Sequence, residues 1–460
     1  MKTSFKPQGG NLTQEGCNVE MNIHKPNMAP NKTPMPVQPV VTRLGNTWEV
    51  ESGYTAEQAS TEAGRCMSCP ERYCAESCPV GTSIPEFIEQ IRAGDVNKAY
   101  EIICSSNPLA GIGCRVCPCE TQCESNCTRG IKGDAVAIGR LERFVCDTVN
   151  KDAAAQPVRI GCSAAVVGSG PAGLVCAITL AKAGVKVTIF EKANHMGGVL
   201  AWGIPPFILP GSFLKDIIRE ADALGVEFRT GAELGRDVVL KDLQARYDAV
   251  FLSVGAGKAI DLGEKLPKGA MQAADYLAME EKPSAAVVAV FGGGSTAIDA
   301  ARAAVRSGAK RVYLLYRRTE AEMPVTKDEF SRAREEGVEM IFLANPAAYL
   351  TEDGKLKGVE CQKMLLDAPE YPGGRRSISQ SKDRFSLKAD LAVLALGFEN
   401  EPLDGVDLDS LNRIKVDGRF KTSAERVYAG GDAVTGPGTV MKAAAAGRAA
   451  AKTILEQLVR

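Results

Sequence analysis

Residues 164–173 read AAVVGSGPAG, a short apolar run that leads directly into three glycines. The pattern predicts a buried strand, a tight turn and a helix. In such a turn, Gly168 permits the sharp bend, Gly170 lets the backbone approach a pyrophosphate, and Gly173 lets helix and strand pack closely. The segment therefore predicts a dinucleotide-binding unit. The alternative is a purely structural glycine turn.

An acidic residue favours the dinucleotide interpretation. Glu191 ends the next predicted strand, residues 185–190, and stands 23 residues after Gly168. A carboxylate at that place can accept hydrogen bonds from both ribose hydroxyls. The residues predicted to bind this first ligand are Gly168, Gly170, Pro171, Ala172, Gly173, Glu191, Gly197 and Gly198.

A second glycine-rich turn follows a second apolar strand, residues 287–291. The strand after it ends in Arg317 and Arg318, where the first unit has an acid. A guanidinium makes bidentate bonds to phosphate oxygens, so this unit is predicted to bind NADPH rather than NADH. The alternative is a solvated arginine pair, above all for Arg318. The predicted NADPH residues are Gly292, Gly293, Gly294, Ser295, Thr296, Arg317 and Arg318.

Near the C-terminus, Gly430, Gly431 and Asp432 follow a short strand and precede an alanine-rich helix. This segment is predicted to return to the first sheet, where Asp432 would meet the ribityl or pyrophosphate part of a flavin. Two strand–helix–strand units predict two doubly wound, Rossmann-like domains. The arrangement resembles flavin-dependent pyridine-nucleotide oxidoreductases. It implies FAD in residues 158–286 with 396–460, and NADPH in an inserted domain, 287–395.

The cysteines are unusual in number and placement. The 460 residues include 15 cysteines and only two histidines, and the formal net charge is -1. The near-zero charge argues against nucleic-acid binding, and the scarcity of histidine argues against imidazole catalysis. No cysteine lies between Cys176 and Cys361, which argues against a disulfide reductase mechanism. Residues 46–157 are predicted to form a small helical domain threaded by cysteines.

The cysteine spacing favours iron–sulfur clusters. One run is Cys-x2-Cys-x4-Cys-x3-Cys-Pro at residues 66–79, and the other is Cys-x5-Cys-x3-Cys at residues 117–127. Thiolates suit iron–sulfur clusters or zinc. Structural zinc usually takes two Cys-x2-Cys pairs, whereas longer spacings with a terminal Cys-Pro are typical of iron–sulfur ligation. Zinc and inert thiols or disulfides are the alternatives.

Together these motifs make residues 46–460 resemble the small (β) subunit family of NADPH-dependent glutamate synthase. The N-terminal half of dihydropyrimidine dehydrogenase and the large subunit of NADH-dependent ferredoxin:NADP oxidoreductase belong to the same group. The matching stretches are GYT at 53–55, EQA at 57–59, EA at 62–63, RC at 65–66, CPV at 78–80, IPEFI at 84–88, NPL at 107–109, RVCP at 115–118, IGRLER at 138–143, GIP at 203–205 and YRR at 316–318.

The resemblance implies two [4Fe–4S] clusters with interleaved ligands. The first cluster would take Cys66, Cys69, Cys74 and Cys127. The second would take Cys78, Cys117, Cys123 and Glu142. Without the resemblance, Glu142 would be interpreted as a solvated helical glutamate. Four further cysteines lie outside the implied set: Cys104, Cys114, Cys119 and Cys146. They are expected to be buried or unligated thiols, although Cys114 or Cys119 could compete for the second cluster.

The resemblance further implies an enzyme that moves hydride from NADPH to FAD and single electrons through the clusters to a partner. That partner is expected to be a larger catalytic or flavoprotein subunit, or ferredoxin, with no nucleic acid and no membrane. No side chain is predicted to act as acid or base. The alternatives are a ferredoxin:NADP transhydrogenase, a dihydropyrimidine dehydrogenase-like electron-input subunit, and a redox-regulated binding module.

The N-terminal composition predicts a flexible arm over residues 1–45. Six prolines with many Asn, Gln and Thr residues can bury little apolar surface. A partner-docking arm is the alternative. No stretch predicts a signal peptide. Residues 160–181 are uncharged, but their glycines and proline argue against a membrane span. The expected location is the cytoplasm.

Overall fold

A computed structural model of the protein describes residues 26–149, 157–263, 265–369 and 376–459. A helical region comes first, followed by two units built on parallel sheets. The helices are α1 (Val40–Leu44), α2 (Ala56–Ala63), α3 (Tyr73–Glu76), α4 (Ile84–Ala93), α5 (Val96–Ser106), α6 (Ala110–Val116), α7 (Ile138–Thr148), α8 (Pro171–Lys182), α9 (Val199–Trp202), α10 (Gly211–Ala223), α11 (Leu240–Arg246), α12 (Ala273–Ala278), α13 (Ser295–Arg306), α14 (Lys327–Glu335), α15 (Asp432–Thr435) and α16 (Val440–Leu458).

The strands follow in the same way. They are β1 (Ser163–Val167), β2 (Lys186–Phe190), β3 (Glu227–Arg229), β4 (Ala249–Leu252), β5 (Lys258–Ala259), β6 (Ala270–Gln272), β7 (Val287–Phe291), β8 (Arg311–Tyr316), β9 (Val338–Phe342), β10 (Ala344–Glu352), β11 (Lys355–Leu366), β12 (Ile378–Lys388), β13 (Leu391–Leu394), β14 (Phe398–Glu399) and β15 (Val427–Ala429). Short 3₁₀ turns span Cys119–Thr121, Glu124–Asn126, Thr128–Ile131 and Glu320–Glu322.

Helices α2 to α7 form the cysteine-bearing region. In α4, Ile84, Phe87, Ile88 and Ile91 recur at helical spacing and are all buried. They pack with residues of α2, α5 and α7 into one core, and several cysteines line the edge of that core. Several of the thiols are therefore partly buried, including some that lie on loops between the helices.

The first described residues do not form the predicted flexible arm. Residues 26–51, here called the N-terminal strap, run across the surface of the helical region. Gln38 N donates to Val50 O at 2.9 Å, and Arg43 is 1% exposed. The strap is held by backbone hydrogen bonds and a buried guanidinium, which composition does not reveal. The prediction is wrong for residues 26–45, and residues 1–25 lie outside the described ranges.

The first sheet has the parallel strand order β15-β4-β1-β2-β3. Strand β15 comes from the C-terminal part of the chain and pairs with β4, so the second unit is inserted within the first. Helices α8 and α16 pack together beside this sheet. The uncharged residues 160–181 form β1, the glycine turn and most of α8. No helix in the described ranges is long and apolar enough to cross a membrane.

The second sheet has the parallel order β6-β13-β7-β8-β9, beside an antiparallel sheet β10-β11-β12. This confirms the predicted α/β class with two Rossmann-like units. Strand β6 lies before residue 287, where the inserted domain was expected to begin. Its three residues pair with β13 at the sheet edge, which no sequence period shows. The predicted boundary at 286/287 therefore needs correction to include β6 in the inserted unit.

Gly447 is the point of closest contact between α16 and α8. A Cβ built at Gly447 would lie 2.0 Å from Ala172 O. The Gly447→Ala variant is therefore expected to lose about 1–3 kcal/mol of unfolding free energy, since a packed backbone must move aside. A urea titration checks this. Gly418→Ala is the matched control, because its Cβ would meet nothing within 4 Å. Equal midpoints for the two variants would contradict the prediction.

Candidate cofactor and cluster sites

The first glycine turn has the geometry predicted for a phosphate site. Gly168 has φ +97°, and a Cβ there would lie 2.3 Å from Ser253 O. A Cβ at Gly173 would lie 1.9 Å from Gly168 O, whereas one at Gly170 would meet nothing within 4 Å. The turn is therefore tightly packed on the protein side and open at the N-terminus of α8. Open space beside helix N-terminal amides is what a pyrophosphate requires.

Glu191 organises this turn. Its Oε2 accepts from Ser169 N at 2.9 Å and from Ser169 Oγ at 2.5 Å, and its Oε1 accepts from Ala193 N at 2.9 Å. Gly197 N donates to the same Ser169 hydroxyl at 2.9 Å. These bonds bring Gly197 and the adjacent Gly198 against the turn. Carboxylate oxygens accept more than one hydrogen bond, so Glu191 can still meet a ribose hydroxyl.

The C-terminal segment completes this sheet edge. Strand β15 ends at Ala429, and a Cβ at Gly431 would lie 3.0 Å from Ala172 Cβ at the start of α8. Asp432 follows directly, and its burial raises the pKa of its carboxyl group. Asn400, which sequence reasoning did not single out, donates to Asp432 O at 3.0 Å. The residues predicted for the first nucleotide therefore meet at the carboxyl ends of β1, β2 and β15.

The second glycine turn repeats the arrangement. A Cβ at Gly292 would lie 2.3 Å from Ala395 O, and one at Gly293 would collide with the Tyr316 ring at 2.3 Å. A Cβ at Gly294, at the start of α13, would meet nothing within 4 Å. The predicted residues Ser295 and Thr296 begin that helix. The open position again lies at a helix N-terminus.

The two arginines after β8 are placed differently. Arg317 is exposed, whereas Arg318 is 7% exposed and donates to Arg376 O. Successive residues leaving a strand point to opposite sides, which explains the difference. The burial of Arg318 contradicts the alternative of a solvated arginine, and it does not favour the predicted role of Arg318 in NADPH binding. Arg317 is the arginine available to a phosphate.

A small cavity of about 20 Å³ brings together the residues implied for the second cluster. Cys78, Cys117, Cys123 and Glu142 all line it, although they come from four separate segments. Cys119 lines it too, and the thiols of Cys117 and Cys123 hydrogen-bond with it. These bonds lower the pKa of Cys119. Cys119 therefore lies inside the cavity, although it was expected to be an unligated thiol.

Glu142 is a buried carboxyl group without a cationic partner among the described residues. Burial first, and then the charge of Cys119, raise its pKa to about 8, while a hydrogen bond from Asn107 opposes the shift. Asn107 Nδ2 lies 3.3 Å from Glu142 Oε1. An uncompensated buried carboxylate is costly. Iron at this position would supply the missing positive charge, so the Glu142 carboxyl group fits a cluster site.

The four cysteines implied for the first cluster are also neighbours. Burial, then the adjacent Cys127 and Cys69 thiols, raise the pKa of Cys66. Burial, then Cys127 and Cys66, raise the pKa of Cys74 to about 11. Cys69 Sγ donates to Thr128 Oγ1 at 3.5 Å. The grouping joins the first cysteine run to the last cysteine of the second run, as interleaved ligation requires.

Throughout the part of the chain that the structure describes, no three His, Cys, Asp or Glu side chains converge to hold one metal ion. Structural zinc and a [4Fe–4S] cluster each take four ligands, so the number of ligands does not separate them. The cysteine spacing is the feature that favours clusters.

Comparison with known proteins agrees with this division of the chain. Residues 43–154 match the family described as dihydropyrimidine dehydrogenase domain II, 4Fe-4S cluster. Residues 163–447 match the family described as pyridine nucleotide-disulphide oxidoreductase. The fold of the second part is similar to that of FprA from Mycobacterium tuberculosis in complex with NADPH, with a TM-score of 0.56 at 21% identity over 65% of this chain and 84% of that one.

Several similar proteins align with most of this chain. The glutamate synthase [NADPH] small chain of Halomonas elongata is 35% identical over 92% of this chain and 95% of its own length. The Escherichia coli K12 small chain is 34% identical over 92% and 96%. The NADP(+)-dependent formate dehydrogenase subunit beta of Moorella thermoacetica is 38% identical over 84% of this chain and 60% of its own length.

Proposed function

Because the chain belongs to the family of the glutamate synthase [NADPH] small chains, we propose that it oxidises NADPH and delivers the electrons singly to a larger partner subunit. It is an NADPH-dependent, FAD-containing iron–sulfur oxidoreductase. The observation that carries the proposal is the cavity lined by Cys78, Cys117, Cys123 and Glu142. The Glu142 carboxyl group has no cationic partner among the described residues.

The chain's own residues bind and orient the cofactors. Bound FAD supplies the change from two-electron hydride transfer to one-electron transfer. The open turn at Gly170 and the α8 amides hold its pyrophosphate, and Glu191 holds a ribose hydroxyl. The equivalent turn at Gly294 holds NADPH, with Arg317 on the 2′-phosphate. No side chain is assigned as an acid or base, in keeping with chemistry performed by the cofactors.

Two ligand sets hold the clusters in this proposal. Cys66, Cys69, Cys74 and Cys127 hold the first cluster, supported by the mutual effect of their thiols on one another's pKa. Cys78, Cys117, Cys123 and Glu142 hold the second cluster, supported by their shared cavity.

The proposed acceptor is a glutamate synthase-like large subunit. The glutamate synthase relatives are named small chains, and this chain spans 95% and 96% of the length of two of them. It spans only 60% of the formate dehydrogenase subunit beta. The recurrence of glutamate synthase small chains among the similar proteins supports this type of partner.

Anaerobic purification followed by iron, sulfide, zinc and flavin quantification tests the proposal. About eight iron atoms and one FAD per chain are expected, as two four-iron clusters require. Titration with NADPH is expected to bleach the flavin absorbance, and NADH is expected to leave it oxidised. Zinc in place of iron, or a flavin that NADPH leaves oxidised, would overturn the electron-transfer function.

Replacing Arg317 with alanine is expected to raise the KM for NADPH roughly 10- to 100-fold, because hydrogen bonds to a charged phosphate contribute about 1.5–3 kcal/mol. The inhibition constant of NADH as a competitor of NADPH is expected to stay nearly unchanged, because NADH has no 2′-phosphate. Steady-state kinetics with an artificial acceptor measure both. Arg311→Ala at the other end of β8 is the control, since Arg311 pairs with Glu339. If the binding of both nucleotides weakened equally, Arg317 would not be the residue that binds the 2′-phosphate.

A further inference from the structure

Three cysteines outside the proposed ligand sets lie together. Cys104 is on α5, Cys114 is at the end of α6, and Cys146 is on α7. The Cys146 thiol hydrogen-bonds with Cys114 and feels the charge of Cys104. Tyr100, one turn before Cys104, hydrogen-bonds with the Cys104 thiol. Cys114 and Cys146 are thus direct neighbours held on different helices, and neither is bridged.

Their surroundings give the two thiols different reactivity. Cys146 is 5% exposed, whereas Cys114 is only half-buried. Arg115 Nη1 lies 3.5 Å from Cys114 Sγ. Arg115 is itself fixed, because it stacks on the Phe213 ring with 3.7 Å to the ring centroid. Because Cys114 is the more exposed of the two thiols, it is the one that a small disulfide can reach, and Cys146 is placed to resolve what forms on it.

Cys114 and Cys146 lie on α6 and α7, two helices with residues that line the second-cluster cavity. Cys114 precedes Cys117 by three residues, and Cys146 follows Glu142 by one helical turn. Gly113, next to Cys114, lines the cavity. A covalent bond between Cys114 and Cys146 would clamp α6 to α7 where these ligands begin.

We propose that Cys114 and Cys146 form a reversible disulfide that alters electron transfer at the second cluster. The oxidant is a low-molecular-weight disulfide. The Cys114 thiolate attacks one of its sulfur atoms and releases one thiol, and Cys146 then attacks Cys114 Sγ and releases the second. The two protein thiols supply two electrons and two protons, and the small disulfide becomes two thiols. The effect on the cluster rests on the proposed function, but formation of the bond does not.

The test exposes anaerobically purified holoenzyme to a series of oxidised-to-reduced glutathione ratios. Alkylation and peptide mass spectrometry then map the thiols. The expected result is a linked Cys114–Cys146 peptide in most chains at high ratios, reversed by dithiothreitol. Cys146→Ser is expected to leave Cys114 carrying glutathione. Cys104→Ser is the matched control in the same thiol group and is expected to retain the link.

Electron paramagnetic resonance of the reduced enzyme measures the effect on the cluster. The expected result is a shift of one cluster signal that appears with the bond and disappears on its reduction. The peptide map of the wild-type enzyme shows whether the disulfide forms, so this result does not depend on a variant that might fail to fold. The proposal is overturned if Cys146 is alkylated at every ratio, if the link joins Cys104 instead, or if the bond forms without any signal shift. Enzyme without iron would refute the proposed function while the peptide map still decides the disulfide.

Discussion

Cys123→Ala is expected to remove one of the two clusters and to slow electron delivery by about 100-fold or more. Even the loss of an outer-shell partner costs roughly 10- to 100-fold at metal sites, and Cys123 is proposed as a direct ligand. Iron content is expected to fall from about eight to about four atoms per chain. Flavin bleaching by NADPH is expected to persist, because that step precedes the clusters. Iron analysis and reduction of a one-electron acceptor measure these effects.

Two control variants make this result specific. Cys176 is buried in α8, away from both ligand sets, so Cys176→Ala is expected to keep all its iron. Cys119 lines the same cavity as Cys123 but is not in the proposed ligand set. Cys119→Ala is likewise expected to retain about eight iron atoms. Loss of iron from Cys119→Ala with retention in Glu142→Ala would replace Glu142 by Cys119 as the fourth ligand.

Glu336→Gln is expected to destabilise the protein by about 3–5 kcal/mol, because it leaves buried guanidinium groups without a counter-charge. Glu336 forms salt bridges with Arg302 and Arg306 of α13 at 2.9 and 2.6 Å. It forms a third with Arg43 of the N-terminal strap at 2.9 Å. All four side chains are at most 5% exposed. Phe207 adds a ring over which Arg306 stacks at 4.1 Å. The midpoint of a urea titration measures the loss.

The same cluster has a defined pH dependence. Burial alone raises the pKa of Glu336, but hydrogen bonds and charge from Arg306 and Arg302 outweigh it and lower the pKa from 4.5 to about 2. A lowered carboxyl pKa stabilises the folded state fully above 4.5, and the stabilisation is lost as pH falls towards 2. The unfolding free energy of the wild type is expected to lose this contribution between pH 4.5 and about pH 2. Glu336→Gln is expected to show no such loss, because it has no carboxyl group to titrate at this position.

Glu335→Gln is the matched control for this prediction. Glu335 contacts Arg43 at 2.7 Å, but its side chain is 52% exposed. Exposed ion pairs contribute at most about 1 kcal/mol, so a small change is expected. Comparable midpoints for Glu335→Gln and Glu336→Gln would show that the buried arginines do not depend on Glu336.

The glycine turns were predictable because they obey local rules. Gly168 has φ +97°, and a Cβ at Gly173 would lie 1.9 Å from Gly168 O, so both glycines are required by the turn itself. The same is true of the turn at Gly292. The exposure of Arg317 against the burial of Arg318 was not predictable, because it depends on which side of β8 faces the rest of the unit.

The N-terminal strap and the thiol groups illustrate what local patterns omit. Arg43 reaches a glutamate almost three hundred residues away in the chain, and no composition window contains both partners. Cys114 and Cys119 are close together in the sequence, and both lie outside the implied ligand set. Cys119 lines the cluster cavity, whereas Cys114 hydrogen-bonds with Cys146. Their different surroundings arise from how α6 and α7 pack.

Motif and spacing alone were enough to identify two nucleotide-binding units, a cysteine-rich helical region and the class of cofactors. These features depend on residues close together in the chain, where backbone geometry leaves few choices. Tertiary packing settled the place of β6, the burial of Arg43 and Arg318, and the meeting of Cys119 with Cys78 and Glu142 in one cavity. Those outcomes depend on contacts between distant segments, whose free energy exists only once the chain has folded.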